Sequence, residues 1–164
     1  MSATKGLFGK YLSDVFIETG SNFGDGIQQA LDEGFTEVYS CDIDNKRYDL
    51  CRRRFRLNLN VHLILDDSVN FLIRILPLID KRATFWLDAH KGNGKSPLIS
   101  ELAVISQHQI KDHILLIDDL RDWKKEICGF NTEILKNQII KINENYKFYL
   151  EDGYVPEDIL AARV

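Results

Sequence analysis

Five acidic residues occupy the same place in the pattern of this sequence. Glu18, Asp42, Asp67, Asp88 and Asp118 each stand at or just past the end of a short apolar run. A single Asp in that position most often serves as a turn residue or helix cap. Five along one edge of a sheet describe something more: a crevice lined with hydrogen-bond acceptors and negative charge. Such a crevice suits a ligand carrying hydroxyls, an exocyclic amine and positive charge. It does not suit a pyrophosphate, which is held by backbone N–H groups and lysine. The pattern G-x-x-x-x-G-K-[ST] is absent, and Gly20, Gly24 and Gly26 are spaced wrongly for G-x-G-x-x-G.

The elements that must position these acids follow from periodicity and punctuation. Residues 1–14 have room for one turn of helix only. Residues 15–18 form a first strand, and the small-residue loop Gly20-Ser21-Asn22-Phe23-Gly24 leads to a helix capped by Ser21 or Asp25. That helix shows Ile27, Ala30 and Leu31 on one face and ends at Gly34. A second strand over 37–42 is followed by a helix with Asp44 as its cap and Tyr48, Cys51 and Phe55 inward. Arg52, Arg53, Arg54 and Arg56 on the other face read as a solvated surface. Strands over 61–65, 84–88 and 113–117 continue the alternation. The helix from Ser68 is shortened or kinked by Pro77, Ser96-Pro97 opens another, and Thr132 caps a last one.

Residues 146–150 and 159–164 read as a closing strand pair. Five strand–helix units and a terminal antiparallel pair predict an α/β fold, a doubly wound, mostly parallel Rossmann-like sheet. Ligands of such sheets sit at the carboxyl ends of the strands, where the acids are.

The bulk numbers agree. The 164 residues predict one domain over 1–164, with 45% hydrophobic and 28% charged residues, as in globular chains. A net charge of −4 gives no indication of nucleic acid. The longest apolar run, 71–79, is interrupted by Arg74 and Pro77 and is too short for a membrane span. Three cysteines without a C-x-x-C pair, and no signal segment, lead to the expectation of a cytoplasmic protein.

With these positions in hand, the chain from Val15 to Val164 resembles the class I S-adenosylmethionine-dependent methyltransferases. Their E/D-x-G-x-G-x-G motif is similar to Glu18-Thr19-Gly20-Ser21-Asn22-Phe23-Gly24, with Asn22 replacing the middle glycine. Asn tolerates positive φ better than most residues. The resemblance implies that Glu18, Gly20, Asn22 and Gly24 face the methionine part of the cofactor. It implies that Asp42 accepts from the ribose hydroxyls and that Asp67-Ser68 meets the adenine, with Asp66 one residue away as the alternative.

A narrower likeness lies in Phe85-Trp86-Leu87-Asp88-Ala89-His90, 97–102 and Ile117-Asp118-Asp119, which resemble small metal-dependent O-methyltransferases of the catechol and macrocin types. That likeness implies magnesium on Asp88, Asp118 and Asp119, orienting a substrate hydroxyl and lowering its pKa. An N-cap and turn is the competing reading of Asp118-Asp119. Asp88 and His90 are the candidate catalytic residues: His90 acts as general base, orients Asp88, or lies in solvent.

The expected partner is a small or larger hydroxyl-bearing acceptor. No Asn/Asp-Pro-Pro-aromatic motif follows the fourth strand, and no Pro-Cys, which disfavours DNA-base chemistry. A Lys-Asp-Lys-Glu set from Lys10, Asp88, Lys124 and Glu151 is cheap to assemble from 21 basic residues. Segments 89–97 and 119–131, with Lys91, Lys95, Arg121, Trp123, Lys124 and Lys125, are the expected acceptor side. The short stretch before the first strand leaves that side uncovered. A large acceptor, a second copy of the chain or an open cleft each answer to this. A cofactor-binding module without methyl transfer and a nicotinamide-dependent oxidoreductase are the alternative functions.

Overall fold

The structure is a computed structural model, described over residues 3–89, 96–121 and 132–164. The elements run α1 (Leu7–Lys10), β1 (Val15–Thr19), α2 (Asp25–Asp32), β2 (Val38–Asp42), α3 (Asn45–Arg54), β3 (Val61–Leu65) and α4 (Ser68–Ile75). They continue with β4 (Ala83–Leu87), α5 (Leu98–Ile105), β5 (Ile114–Ile117), α6 (Thr132–Ile140), β6 (Lys147–Glu151) and β7 (Ile159–Arg163). All seven strands join one sheet in the order β3-β2-β1-β4-β5-β7-β6. Strands β1 to β5 are mutually parallel, and β7 runs antiparallel between β5 and β6. The doubly wound, mostly parallel sheet with its antiparallel terminal pair is therefore the observed fold.

Strand alternation divides the core between two faces. Ile17, Phe85, Leu115 and Leu160 meet Phe71 and Leu72 of α4, Leu102 and Ile105 of α5, and Leu135 and Ile139 of α6. Phe16, Trp86, Leu116 and Ala161 meet Phe8 of α1, Ile27 and Ala30 of α2, Cys51 of α3 and Phe55 at its end. Strands covered on both faces read as continuous apolar runs, which is why β1, β4 and β5 were visible as such.

The start of α2 differs from the sequence expectation. Neither Ser21 nor Asp25 caps α2; its N-cap is Gly24 at φ 81, with no side-chain hydrogen bond. Asp44 does cap α3, accepting from the N–H groups of Lys46 and Arg47. Asp67 caps α4 by the same geometry, accepting from Val69 and Asn70. Pro77 falls in a 3-10 turn, Leu76–Leu78, that ends α4. At the edge of the sheet away from the strand carboxyl ends, two buried histidines join three elements. Ala83 N–H donates to His113 Nδ1 at 3.0 Å, so His113 Nε2 carries the proton given to His108 Nδ1 at 2.8 Å. His108 Nε2 donates in turn to the Ile79 carbonyl at 3.1 Å. Every ring nitrogen is used, and only with both rings neutral.

Candidate functional site

The sheet order reverses between β1 and β4, and the loops leaving these two strands open a crevice there. The loop after β1 is fastened to β2: Gly20 and Ser21 N–H groups both donate to the Cys41 carbonyl, at 3.0 and 2.8 Å, and Gly24 N–H closes a turn on Ser21. Gly20, at φ 94, comes so near the end of β4 that a Cβ would stand 3.1 Å from the Asp88 carbonyl oxygen. Asn22 takes φ 47, the conformation that its substitution for glycine anticipated.

The resulting cleft has a volume of about 840 Å³. Gly20, Asn22, Asp42, Asp67, Ser68, Asp88, Asp118 and Asp119, all singled out in the sequence, line it together. Among the described residues its lining holds seven aspartates, Asp42, Asp44, Asp66, Asp67, Asp88, Asp118 and Asp119, against three cations, Lys5, Arg47 and Arg121. The excess of negative charge favours a cationic, donor-rich occupant over a pyrophosphate.

Asp42 is held at both carboxylate oxygens. It is buried, its Oδ2 accepts from Asn22 N–H at 2.8 Å and its Oδ1 from Asp44 N–H at 2.9 Å. A carboxylate has about four lone-pair sites, so two hydrogen bonds fix its plane and leave capacity for two further donors. Asp67 is more committed: Oδ1 caps α4 and Oδ2 accepts from Asn70 Nδ2 at 2.6 Å. Asp66 accepts from Asp67 N–H and pairs with Arg74 at 3.0 Å.

Glu18 corrects the sequence expectation. It lies within β1, not at its end, and its carboxylate turns away from the cleft to the space beneath the first turn of α2. Ser40 Oγ donates to Glu18 Oε2 at 2.6 Å, and a Cβ on Gly26 would stand 1.9 Å from Oε1. Burial pushes the Glu18 carboxyl up to about 8; the Ser40 hydrogen bond opposes this, and Asp88, Asp42 and Asp25 add to it. Gly24 is likewise absent from the cleft lining; it is the N-cap of α2, and a Cβ on it would stand 2.6 Å from the Phe55 ring. His90, Lys91, Lys95, Trp123, Lys124, Lys125 and Cys128 lie outside the described residues.

At the far end of the cleft, Asp118 Oδ1 accepts from Asp119 N–H at 2.8 Å, and Asp119 takes φ 60. Burial, then the charge of Asp88, pushes the Asp118 carboxyl up to about 7, against the Asp119 N–H that lowers it. Ligand oxygens of Asp118, Asp119 and Asp158 lie within 4.8 Å of one another. Asp158 was not foreseen. Ligand-binding acids were sought at carboxyl ends, but β7 is antiparallel, so it is its amino end that reaches this edge. Also unforeseen in the lining are Ala3, Thr4, Ile43, Arg47 and Tyr154.

Carboxylates are the hard oxygen donors magnesium takes, yet this donor set is already occupied by charge. The Arg121 guanidinium pairs with Asp119 through one nitrogen and with Asp158 through another. A dication seated among the three aspartates would lie against a fixed positive group, so the triad does not fit magnesium while Arg121 holds its place. Asp88, the expected third ligand, is not in the triad, although it lines the same cleft.

No family model and no curated protein matches the sequence. Solved structures do match in shape. An O-methyltransferase from Bacillus cereus in complex with SAH superposes with a TM-score of 0.67 at 15% identity, covering 100% of this chain and 82% of that one. An rRNA methylase from Streptococcus thermophilus gives 0.61 at 13%, covering 94% and 90%. Spermidine synthase from Thermotoga maritima gives 0.65 at 10%, covering 98% of this chain and 56% of that one. Among the described residues no helix is long and apolar enough to cross a membrane. At these identities the likeness is one of architecture: the chain has the fold of the class I S-adenosylmethionine-dependent methyltransferases.

Proposed function

We propose that the cleft binds S-adenosylmethionine and that the chain transfers its methyl group to a hydroxyl-bearing acceptor. The observation that carries this reading is Asp42, held in plane by two backbone N–H groups with acceptor capacity left for a vicinal diol. The ribose of the cofactor supplies that diol. Asp66, Asp67 and Ser68, on the neighbouring loop, stand where an adenine amine would find acceptors. The surplus of carboxylates suits a ligand that bears a sulfonium and an ammonium.

Methyl transfer from a sulfonium needs in-line positioning and removal of the acceptor proton. Asp88, just past the end of β4 and beside Asp118 on the adjoining strand end, is the group proposed to receive that proton. Gly20 keeps the β1 loop close against Asp88, so donor and acceptor meet at the point where the strand order reverses. The fold supports this chemistry without selecting it, since a spermidine synthase shares it; the acceptor is proposed from the residues.

The test is thermal unfolding with S-adenosylmethionine, S-adenosylhomocysteine and NAD. A ligand at a hundredfold over its Kd stabilises by about 2.7 kcal/mol. Stabilisation by the first two and not by NAD is expected, and stabilisation by NAD alone overturns the reading. Asp42→Ala should weaken binding by roughly a hundredfold or more, since hydrogen bonds to a charged group contribute about 1.5–3 kcal/mol each.

A further inference from the structure

Asp158 is the most deeply buried member of the acidic triad, with its side chain fully enclosed. A buried carboxylate demands a partner, and the chain supplies one twice, from the Arg121 N–H and the Arg121 guanidinium, besides a bond to the main chain. The Asp158 carbonyl accepts from Leu120 N–H at 2.8 Å, its Oδ1 accepts from Arg121 N–H at 2.9 Å, and its Oδ2 pairs with the Arg121 guanidinium. The same guanidinium reaches across to Asp119 and lies over the Tyr154 ring, 5.3 Å from its centroid. Arg121 is thus anchored by its own backbone, by two carboxylates and by an aromatic face. An arginine held in this way is a positive charge kept at a fixed point.

We infer that Arg121 is the resident cation of the acceptor end of this cleft, a positioning residue that takes the place of a divalent metal among Asp118, Asp119 and Asp158. It offsets part of the cluster's negative charge and holds the strand-end turn, with Asp119 at φ 60, in the shape that points Asp118 into the cleft. The inference depends on the proposed function only in naming this the acceptor end; the exclusion of metal stands on the geometry alone.

The experiment is a titration of ligand-free protein with manganese and with magnesium, followed calorimetrically and by manganese paramagnetic resonance. The unsubstituted protein is expected to show no saturable binding at millimolar metal. Arg121→Ala, with its fold checked by circular dichroism, is expected to bind manganese on the order of a hundredfold more tightly, because a unit charge about 4 Å away has been removed from the site. Adding Asp119→Asn to it should abolish that gain. Arg121→Lys, which keeps the charge, should exclude metal as the original does, and it carries the test if Arg121→Ala does not fold. Saturable metal binding by the unsubstituted protein or by Arg121→Lys overturns the inference, as does a folded Arg121→Ala that gains none. Loss of cofactor binding would instead overturn the proposed function, and it is read in a separate assay.

Discussion

Glu18→Gln isolates one buried acid and gives its cost a number. In the native protein the carboxyl titrates at about 8 against an ordinary value of 4.5, chiefly because it is enclosed between β1 and the start of α2. Between those two values the unfolded chain has lost the proton while the native chain keeps it. Stability contributed by the neutral acid is therefore complete below pH 4.5 and drains away as pH rises towards 8. One unit of displacement is worth about 1.36 kcal/mol, so between pH 5 and pH 8 the native protein loses about 4 kcal/mol through this residue alone. Glutamine has the same shape, keeps an oxygen to accept from Ser40 Oγ, and does not titrate. Urea unfolding of both proteins, ligand-free, at several pH values gives the difference in stability directly. Contributions of other groups cancel in that difference. Glu18→Gln should gain on the original protein steadily as pH rises, by about 4 kcal/mol over this range. A difference that stays flat with pH would mean that Glu18 is ionised or solvated in the native state, and the account of its burial would fail.

Two more outcomes follow from the same packing. Gly26→Ala places a methyl group 1.9 Å from Glu18 Oε1, so the side chain or α2 must move. An overpacking cost of roughly 1–3 kcal/mol is expected, and a double-mutant cycle with Glu18→Ala should recover much of it; strict additivity would refute the contact. At the other edge, burial and the neighbouring His108 hold the His113 pKa down at about 4, below its ordinary 6.5. The native ring stays neutral while the unfolded one takes a proton, so stability falls as pH drops from 6.5 to 4, by about 3 kcal/mol at the limit. His113→Asn should flatten that acid limb in denaturant titrations, and an unchanged slope would count against the neutral pair.

Much of this was legible because the chain punctuates itself plainly. The third strand was expected over 61–65 and is found there, as Val61–Leu65, and Asp44 does cap α3. Asp42, Asp88 and Asp118 could be placed at one edge because an apolar run followed by an acid fixes a strand end without any knowledge of pairing. What could not be read depends on contacts between distant segments. All five residues of β1 are buried, so no alternation of polar and apolar residues showed which face Glu18 takes. Its neighbour Gly26 revealed the direction only once α2 had a position. Asp158 was missed for a topological reason, since nothing local announces that β7 will be inserted between β5 and β6. The Arg121 pairing follows from that insertion and was hidden with it.

The placement of β7 also sets an order in time. Strands β1 to β5 can find their neighbours as the chain emerges, but β5 pairs with β7 across the whole of α6 and β6, as in Leu115 with Ala162. Until β7 is made, β5 has an open edge, and β6, though synthesised earlier, has no partner on which to dock. Such long loop closures are slow and are reached late. Asp158 arrives with β7, so the Asp158–Arg121 lock forms only at the last closure of the sheet. A partly folded chain can therefore own the half of the cleft built on β1 to β3, while the half proposed to take the acceptor does not yet exist.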